Sequence, residues 1–401
     1  MGIFNKADIL VPSENVEPEK WSVIACDQYT SQPEYWQEVE KLVADAPSAL
    51  NIVLPEVYLG DMDKRIDKIN SNMYEYLNSN IFKEYKNTLV FVERTQNDGR
   101  VRCGIVGAVD LEAYDFSKGS NSPIRATEGT VLERIPPRVK IRENAPLELP
   151  HIILLMNDEK DTIITRPQNS EKIYDFDLMK NGGHITGYKI ADSDADLIVE
   201  KIDDLAKKAE GNLVFAVGDG NHSLATAKTC WENIKKCLNE EQKKTHPARY
   251  CLVEIENIHS KALDFEPIHR VVFGVSEKEL IDGIKKFYPD TQDAPNGGHH
   301  IKYVTCEKEG DLYIKNSGTT LAVGALQNYL DSKKAKIDYI HGEDAARNLA
   351  KKQGNVAFLL PKMDKNELFS AVIKDGALPR KTFSMGEADD KRFYFEAKKI
   401  L

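Results

Sequence analysis

Two periodicities alternate along this 401-residue chain, and the switches between them mark its elements. Apolar residues recur at helical spacing over 34–45, 61–78 and 194–212, the last an amphipathic stretch that Gly211 stops. Over 88–111, two runs of period two flank Asn97-Asp98-Gly99, which predicts a β-hairpin. A second hairpin is expected over 151–165, with its turn at 157–161. Residues 213–217 (LVFAV) then read as a buried strand. From Leu224 onward the apolar positions Leu224, Ala227, Trp231, Ile234 and Leu238 follow helix spacing. Between strand and helix stand five small or polar residues, Asp219-Gly220-Asn221-His222-Ser223.

The style changes near residue 275. Ser276 with Glu279 forms a capping-box pattern for a helix ending near Tyr288. A hairpin around Glu309-Gly310, a helix over 320–331, a strand over 337–342 and a helix over 343–352 follow. Residues 356–361 (VAFLLP) read as another strand, and Asp364 with Glu367 caps one more helix. Residues 290–300 read as a surface loop that carries His299 and His300. The expected class is α+β, with mixed and antiparallel sheets. A main body over 1–275 would hold the candidate site, and 276–401 would form a C-terminal α+β segment.

Composition narrows the function classes. Hydrophobic residues make up 41% and charged residues 29%, so a packed core is expected. The net charge of −10 disfavours a general nucleic-acid binder, which needs a basic face. No stretch has the length of a membrane span, and the N-terminal residues carry neither a signal-peptide core nor a myristoylation pattern. The six cysteines are scattered without a CxxC pair, which fits reduced thiols in a cytoplasmic protein.

The 219–223 junction carries the candidate chemistry. A strand that turns at once into a helix presents free N–H groups and the positive end of the helix dipole. Gly220 permits a tight turn and close approach of a ligand, while Ser223 and Thr226 add hydroxyl donors. Such a junction suits phosphate or carboxylate, yet it matches neither a P-loop nor a G-x-G-x-x-G fingerprint. The plainer alternative is a helix cap made by Asp219 or Asn221, with His222 as its partner.

A second stretch, 122–144, gathers Arg125, Arg134, Arg138, Lys140 and Arg142. Val139 and Ile141 alternate there with Lys140 and Arg142 as in a strand, and Pro136-Pro137 stiffens the middle. Arginines fork onto phosphate or carboxylate, and Glu128 among them could act as a general base or metal ligand. Local pairing with Glu128, Glu133 and Glu143 is the competing reading. His269-Arg270 stand before an apolar run, either in a pocket or at a polar loop end. His184 follows a Gly-Gly turn.

The order "IRATEGT … VGDGNHSLATAK … EPIHRVV … LPRKTFSMGE" resembles the bacterial and archaeal family of domain of unknown function 1015. Its pattern falls on Arg125, Glu128 and Thr130, on Asp219, Gly220 and His222, on His269 and Arg270, and on Lys381 and Thr382. The chain departs at Asn221, where the family usually has His, and at Ser223, where it usually has Arg. The Asp-Gly-x-His turn is in turn similar to that of the ParB/sulfiredoxin-like fold, where it binds nucleotide phosphates. That resemblance implies a nucleotide (ATP or ADP) and Mg²⁺, with Asp219 as metal ligand, His222 polarising a phosphoryl oxygen and Glu128 as base. Arg125, Arg138, Gly220, Asn221, Ser223, His269 and Arg270 would hold the cofactor. The implied reaction is phosphotransfer to a small hydroxylated metabolite such as an amino acid. A non-catalytic nucleotide sensor or scaffold, and a phosphohydrolase, are the alternatives. The partner expected on any of these readings is a small phosphorylated ligand, with no nucleic acid and no membrane.

Overall fold

The protein is described here by a computed structural model covering residues 2–401. It is an α+β protein with mixed and antiparallel sheets. The chain divides into two compact units. One comprises the residues up to Ala126, Thr130–Leu263 and Glu387–Leu401, and the other Thr127–Gly129 and Asp264–Gly386.

Among the described residues, the first unit is built on a ten-stranded mixed sheet. Its middle runs Val90–Thr95, Val101–Asp110, Tyr250–Asn257, Ile153–Met156, Phe215–Asp219 and Ile124–Ala126. Side chains alternate across it as the pleat requires. Val90, Val92, Val106, Ala108 and Leu252 face one core, shared with the helices Pro33–Val43 and Met62–Asn78 and with Phe393, Tyr394 and Phe395. Phe91, Ile105, Val109, Cys251 and Val253 face the other, under the helices Asp192–Lys208 and Asn221–Ile234. Both faces are covered, so the strand Ile153–Met156 is apolar throughout, while other strands of the sheet also bury the charged Arg94, Arg102, Glu254 and Glu256.

That explains the first departure from expectation. The run before 157 is no hairpin arm but the strand Ile153–Met156, parallel to Tyr250–Asn257 and antiparallel to Phe215–Asp219. All four of its residues are buried, which is the signature of a central strand. The 157–165 stretch is a turn instead, held where Thr162 N–H (2.6 Å) and Ile163 N–H (2.9 Å) donate to Asp158 Oδ2. The second departure is at 135–142, a helix rather than a strand. Pro136 and Pro137 fall in its first turn, where a missing N–H costs nothing.

Residues 387–401 close the first unit. Tyr394 N–H donates to Val23 O (2.8 Å) and Ala25 N–H to Arg392 O (2.9 Å). Arg392 is buried and bonds Glu254 (2.6 Å), Glu396 (2.7 Å) and the carbonyl of Pro150 (2.6 Å). Beside it, Arg102 Nε lies 3.0 Å from Glu256 Oε1. Burial, opposed by Arg102 and reinforced by the charge of Glu254, pushes the Glu256 carboxyl up to about 8.

The second unit carries a six-stranded sheet among the described residues. Its long strand Phe265–Phe273 pairs with Ile337–His341, Asn355–Leu359 and Phe383–Met385. His299 and His300 open the strand His299–Val304 rather than lying in a loop, and His300 Nε2 sits 2.7 Å from Asp311 Oδ1. In the first unit His184 likewise begins a strand, between Asp175 (2.6 Å) and Asp177 (2.7 Å).

Candidate functional site

The strand Phe215–Asp219 hands over to the helix Asn221–Ile234 through Gly220 alone. Gly220 has φ +80°, and a Cβ there would lie 3.0 Å from the backbone and side chain of Ile152, so only glycine fits without strain. Gly220 is the N-cap and makes no side-chain cap bond. Asp219 Oδ1 accepts from Gly220 N–H (2.9 Å).

Asp219 has a partner that local sequence does not announce. Lys391 Nζ lies 3.2 Å from Asp219 Oδ2. Burial raises the carboxyl, but Lys391 and His151 outweigh it and hold the pKa below the usual range. Asp219 is therefore an anion at neutral pH with an ammonium already against it. No group of three or more His, Cys, Asp or Glu side chains among the described residues could hold a metal. The donor set at Asp219 thus does not fit a resident Mg²⁺, because Lys391 supplies the positive charge there.

His222 Nε2 accepts from Val131 N–H (3.3 Å), and the His222 carbonyl accepts from Thr226 Oγ1 (2.7 Å). Ser223 faces the other way, toward His151 Nε2 at 3.0 Å. His151 Nδ1 lies 2.8 Å from Tyr394 Oη, which also accepts from Cys26 N–H (3.2 Å). Ser223, Thr226, His151, Tyr394, Arg138 and Arg142 line one cavity of about 160 Å³, far above the ~10–15 Å³ that one water needs. The remaining wall is largely apolar, including Ile52, Leu54, Met73 and Leu252.

The arginines of 122–144 separate into two kinds. Arg138 pairs with Glu56 and donates to Arg134 O (2.7 Å), and Arg142 pairs with Glu148 at 2.5 Å. Burial raises Glu148, but Arg142 and Lys398 outweigh it and keep it ionised. Arg125 is different: its guanidinium bonds Ser122 O (2.8 Å), Asn121 Oδ1 (3.1 Å) and Gly211 O, and so pins two loops. Arg134 and Lys140 are exposed.

Glu128, His269, Arg270, Lys381 and Thr382 belong to the second unit. Glu128 Oε1 accepts from Lys381 N–H (3.0 Å), and Leu378 bridges to the Glu128 backbone. His269 and Arg270 lie inside a strand rather than at a loop end, since the strand starts at Phe265. Leu360 N–H donates to His269 Nδ1 (3.1 Å). Arg270 is 0% exposed and donates to Lys381 O (2.8 Å), Arg380 O (2.9 Å), Ile268 O and Gln327 Oε1 (3.2 Å).

His151, Lys391, Tyr394, Glu56 and Glu148 escaped the sequence reading. Only the Lys391-Arg392 pair, basic after Asp389-Asp390, offered a local signal. No helix among the described residues is long and apolar enough to cross a membrane.

The family described as "Protein of unknown function (DUF1015)" matches residues 10–364. No curated protein matches. Similar solved structures include a free serine kinase in complex with AMP, at 13% identity and TM-score 0.38 over 75% of this chain and 93% of that one. SbnI with a C-terminal truncation from Staphylococcus aureus follows at 11% and 0.38, over 70% and 82%. A conserved hypothetical protein from Pyrococcus furiosus matches at 10% and 0.35, over 74% and 92%. Likeness at these values carries no functional argument.

Proposed function

The chain belongs to the family described as "Protein of unknown function (DUF1015)", and from its own geometry we propose that it binds a small phosphorylated molecule beside the turn at 219–223. One observation carries the reading: hydroxyls from the first turns of a helix and two guanidinium groups line a single cavity. A helix start favours anions, and guanidinium forks match phosphate oxygens. Lys391 adds a cation next to Asp219. The apolar wall suits the body of a ligand whose other end is charged.

The finer reading is phosphotransfer from ATP, or binding of ADP, with a small hydroxylated metabolite such as an amino acid as acceptor. The turn's resemblance to nucleotide-phosphate turns supports it. His222 would stand by the phosphate, and Glu128 would accept the hydroxyl proton. A nucleotide sensor or scaffold that does no chemistry is the second reading, favoured by the engagement of Arg270 with three backbone carbonyls and Gln327 Oε1.

Titration calorimetry with ADP, ATP and inorganic phosphate tests the proposal. Saturable binding of a phosphorylated ligand is expected. Glu128→Gln then separates the two readings, since it abolishes turnover and spares binding in an enzyme but changes neither property in a sensor. A chain that binds none of the three ligands has nothing more than a helix start at 219–223.

A further inference from the structure

We propose that Ser223 is a nucleophile, with His151 as its base, that takes a phosphoryl group into this cavity as a covalent phosphoserine. The inference rests on the reading that the cavity accepts phosphorylated ligands, and goes beyond it by naming a bond. Ser223 Oγ lies 3.0 Å from His151 Nε2, and His151 Nδ1 lies 2.8 Å from Tyr394 Oη. In the tautomer that carries its hydrogen on Nδ1, facing Tyr394 Oη, Nε2 keeps its lone pair toward the serine hydroxyl, the arrangement that makes a serine nucleophilic. His151 is only 6% exposed, and both of its ring nitrogens are engaged, one by Ser223 and one by Tyr394.

The surroundings favour phosphorus over carbon as the electrophile. Ser223 is the third residue of its helix, where a new dianion meets the positive end of the dipole. Arg138 and Arg142 line the same cavity together with Glu56 and Glu148, the carboxylates they pair with, so an incoming phosphate would share each guanidinium with its present partner. In contrast, Leu224 N–H, the donor that an acyl-enzyme oxyanion would need, is spent on Gly220 O at 3.0 Å.

With acetyl phosphate as donor the step balances as follows. Ser223 Oγ attacks phosphorus, the P–O bond to the acetyl group breaks, and acetate leaves with the electron pair. The hydroxyl proton passes to His151 Nε2 and on to solvent. Tyr394 does not touch the reacting atoms and acts as a positioning residue.

The test incubates the full chain with acetyl phosphate and maps phosphate-bearing peptides by mass spectrometry, with ADP calorimetry run in parallel. A phosphate on Ser223 of the wild type is expected, absent in Ser223→Ala and formed at least tenfold more slowly in His151→Gln. Tyr394→Phe should shift the pH profile of labelling without abolishing it. Wild type that binds ADP yet stays unlabelled at Ser223 overturns the nucleophile and leaves the binding proposal standing. Labelling without ADP binding does the reverse to the nucleotide part. Equal labelling of His151→Gln, with its thermal midpoint retained, overturns the role of His151, and the pair is then only a tie between a helix and a loop.

Discussion

His151 and His269 are both buried histidines beside arginines, one in each unit, and they are wired in opposite ways. In the second unit His269 meets a backbone N–H, and Arg270 gives its donors to three carbonyls and an amide. Every bond there fixes chain to chain. In the first unit both nitrogens of His151 meet side-chain hydroxyls, and the nearby arginines meet carboxylates on the wall of a cavity. Carbonyls cannot release a guanidinium without leaving buried acceptors unsatisfied, whereas a carboxylate at a cavity wall can share it with an incoming anion. The partners of a cation, more than its burial, separate scaffold from site.

The largest effect should come from the scaffold side. Arg270→Leu strips the loop carbonyls of their donor and should cost roughly 3–5 kcal/mol of stability, read by denaturant unfolding. A stable variant with impaired ligand binding would break the comparison. Next comes the buried carboxylate pair of the first unit. The folded pKa of Glu256, about 8, lies above its ordinary value of 4.5, so the protonated form favours folding. That stabilisation is present below about pH 4.5 and is lost as pH rises through about 8. At about 1.4 kcal/mol for each tenfold change in proton affinity, the wild type should lose on the order of 2–4 kcal/mol between pH 5 and 9. Glu256→Gln should flatten that slope in pH-dependent unfolding, and an unchanged slope would place the shared proton elsewhere.

On the site side, Arg138→Ala should weaken binding of ADP or phosphate by roughly 1.5–3 kcal/mol in calorimetry, the worth of a charge-assisted hydrogen bond. Equal binding by variant and wild type would put Arg138 with the scaffold. The smallest effect belongs to Lys86, exposed and paired with Asp8 and Glu84. Lys86→Ala should leave binding unchanged and cost roughly 0–1 kcal/mol of stability.

Much of the architecture was legible because it is local. The 219–223 turn, the long amphipathic helices and the Ser276 cap are set by spacing, by glycine and by short-range bonds. Ser276 Oγ does accept from Glu279 N–H. The misread stretches failed for physical reasons. A fully buried strand loses its alternation, so residues 153–156 looked like one arm of a hairpin, and tandem prolines read as stiffness when they begin a helix. Site partners were harder. Arg125 and Arg138 stand thirteen residues apart with similar neighbours, and nothing local says that one meets carbonyls and the other a carboxylate. Lys391 reaches Asp219 across 391 − 219 = 172 positions, a separation no motif spans.

That distance also sets a timetable. Residues 387–401 leave the ribosome after all of the second unit, yet Lys391 belongs to Asp219 and Tyr394 to His151. While the chain is still being made, the turn has no ammonium and the cavity lacks its phenol wall. His151, the histidine beside Ser223, therefore lacks its Tyr394 contact in the nascent chain. A polypeptide that stopped between Thr382 and Lys391 would display all of the family's motifs and still lack the partners that the tail gives to Asp219 and His151.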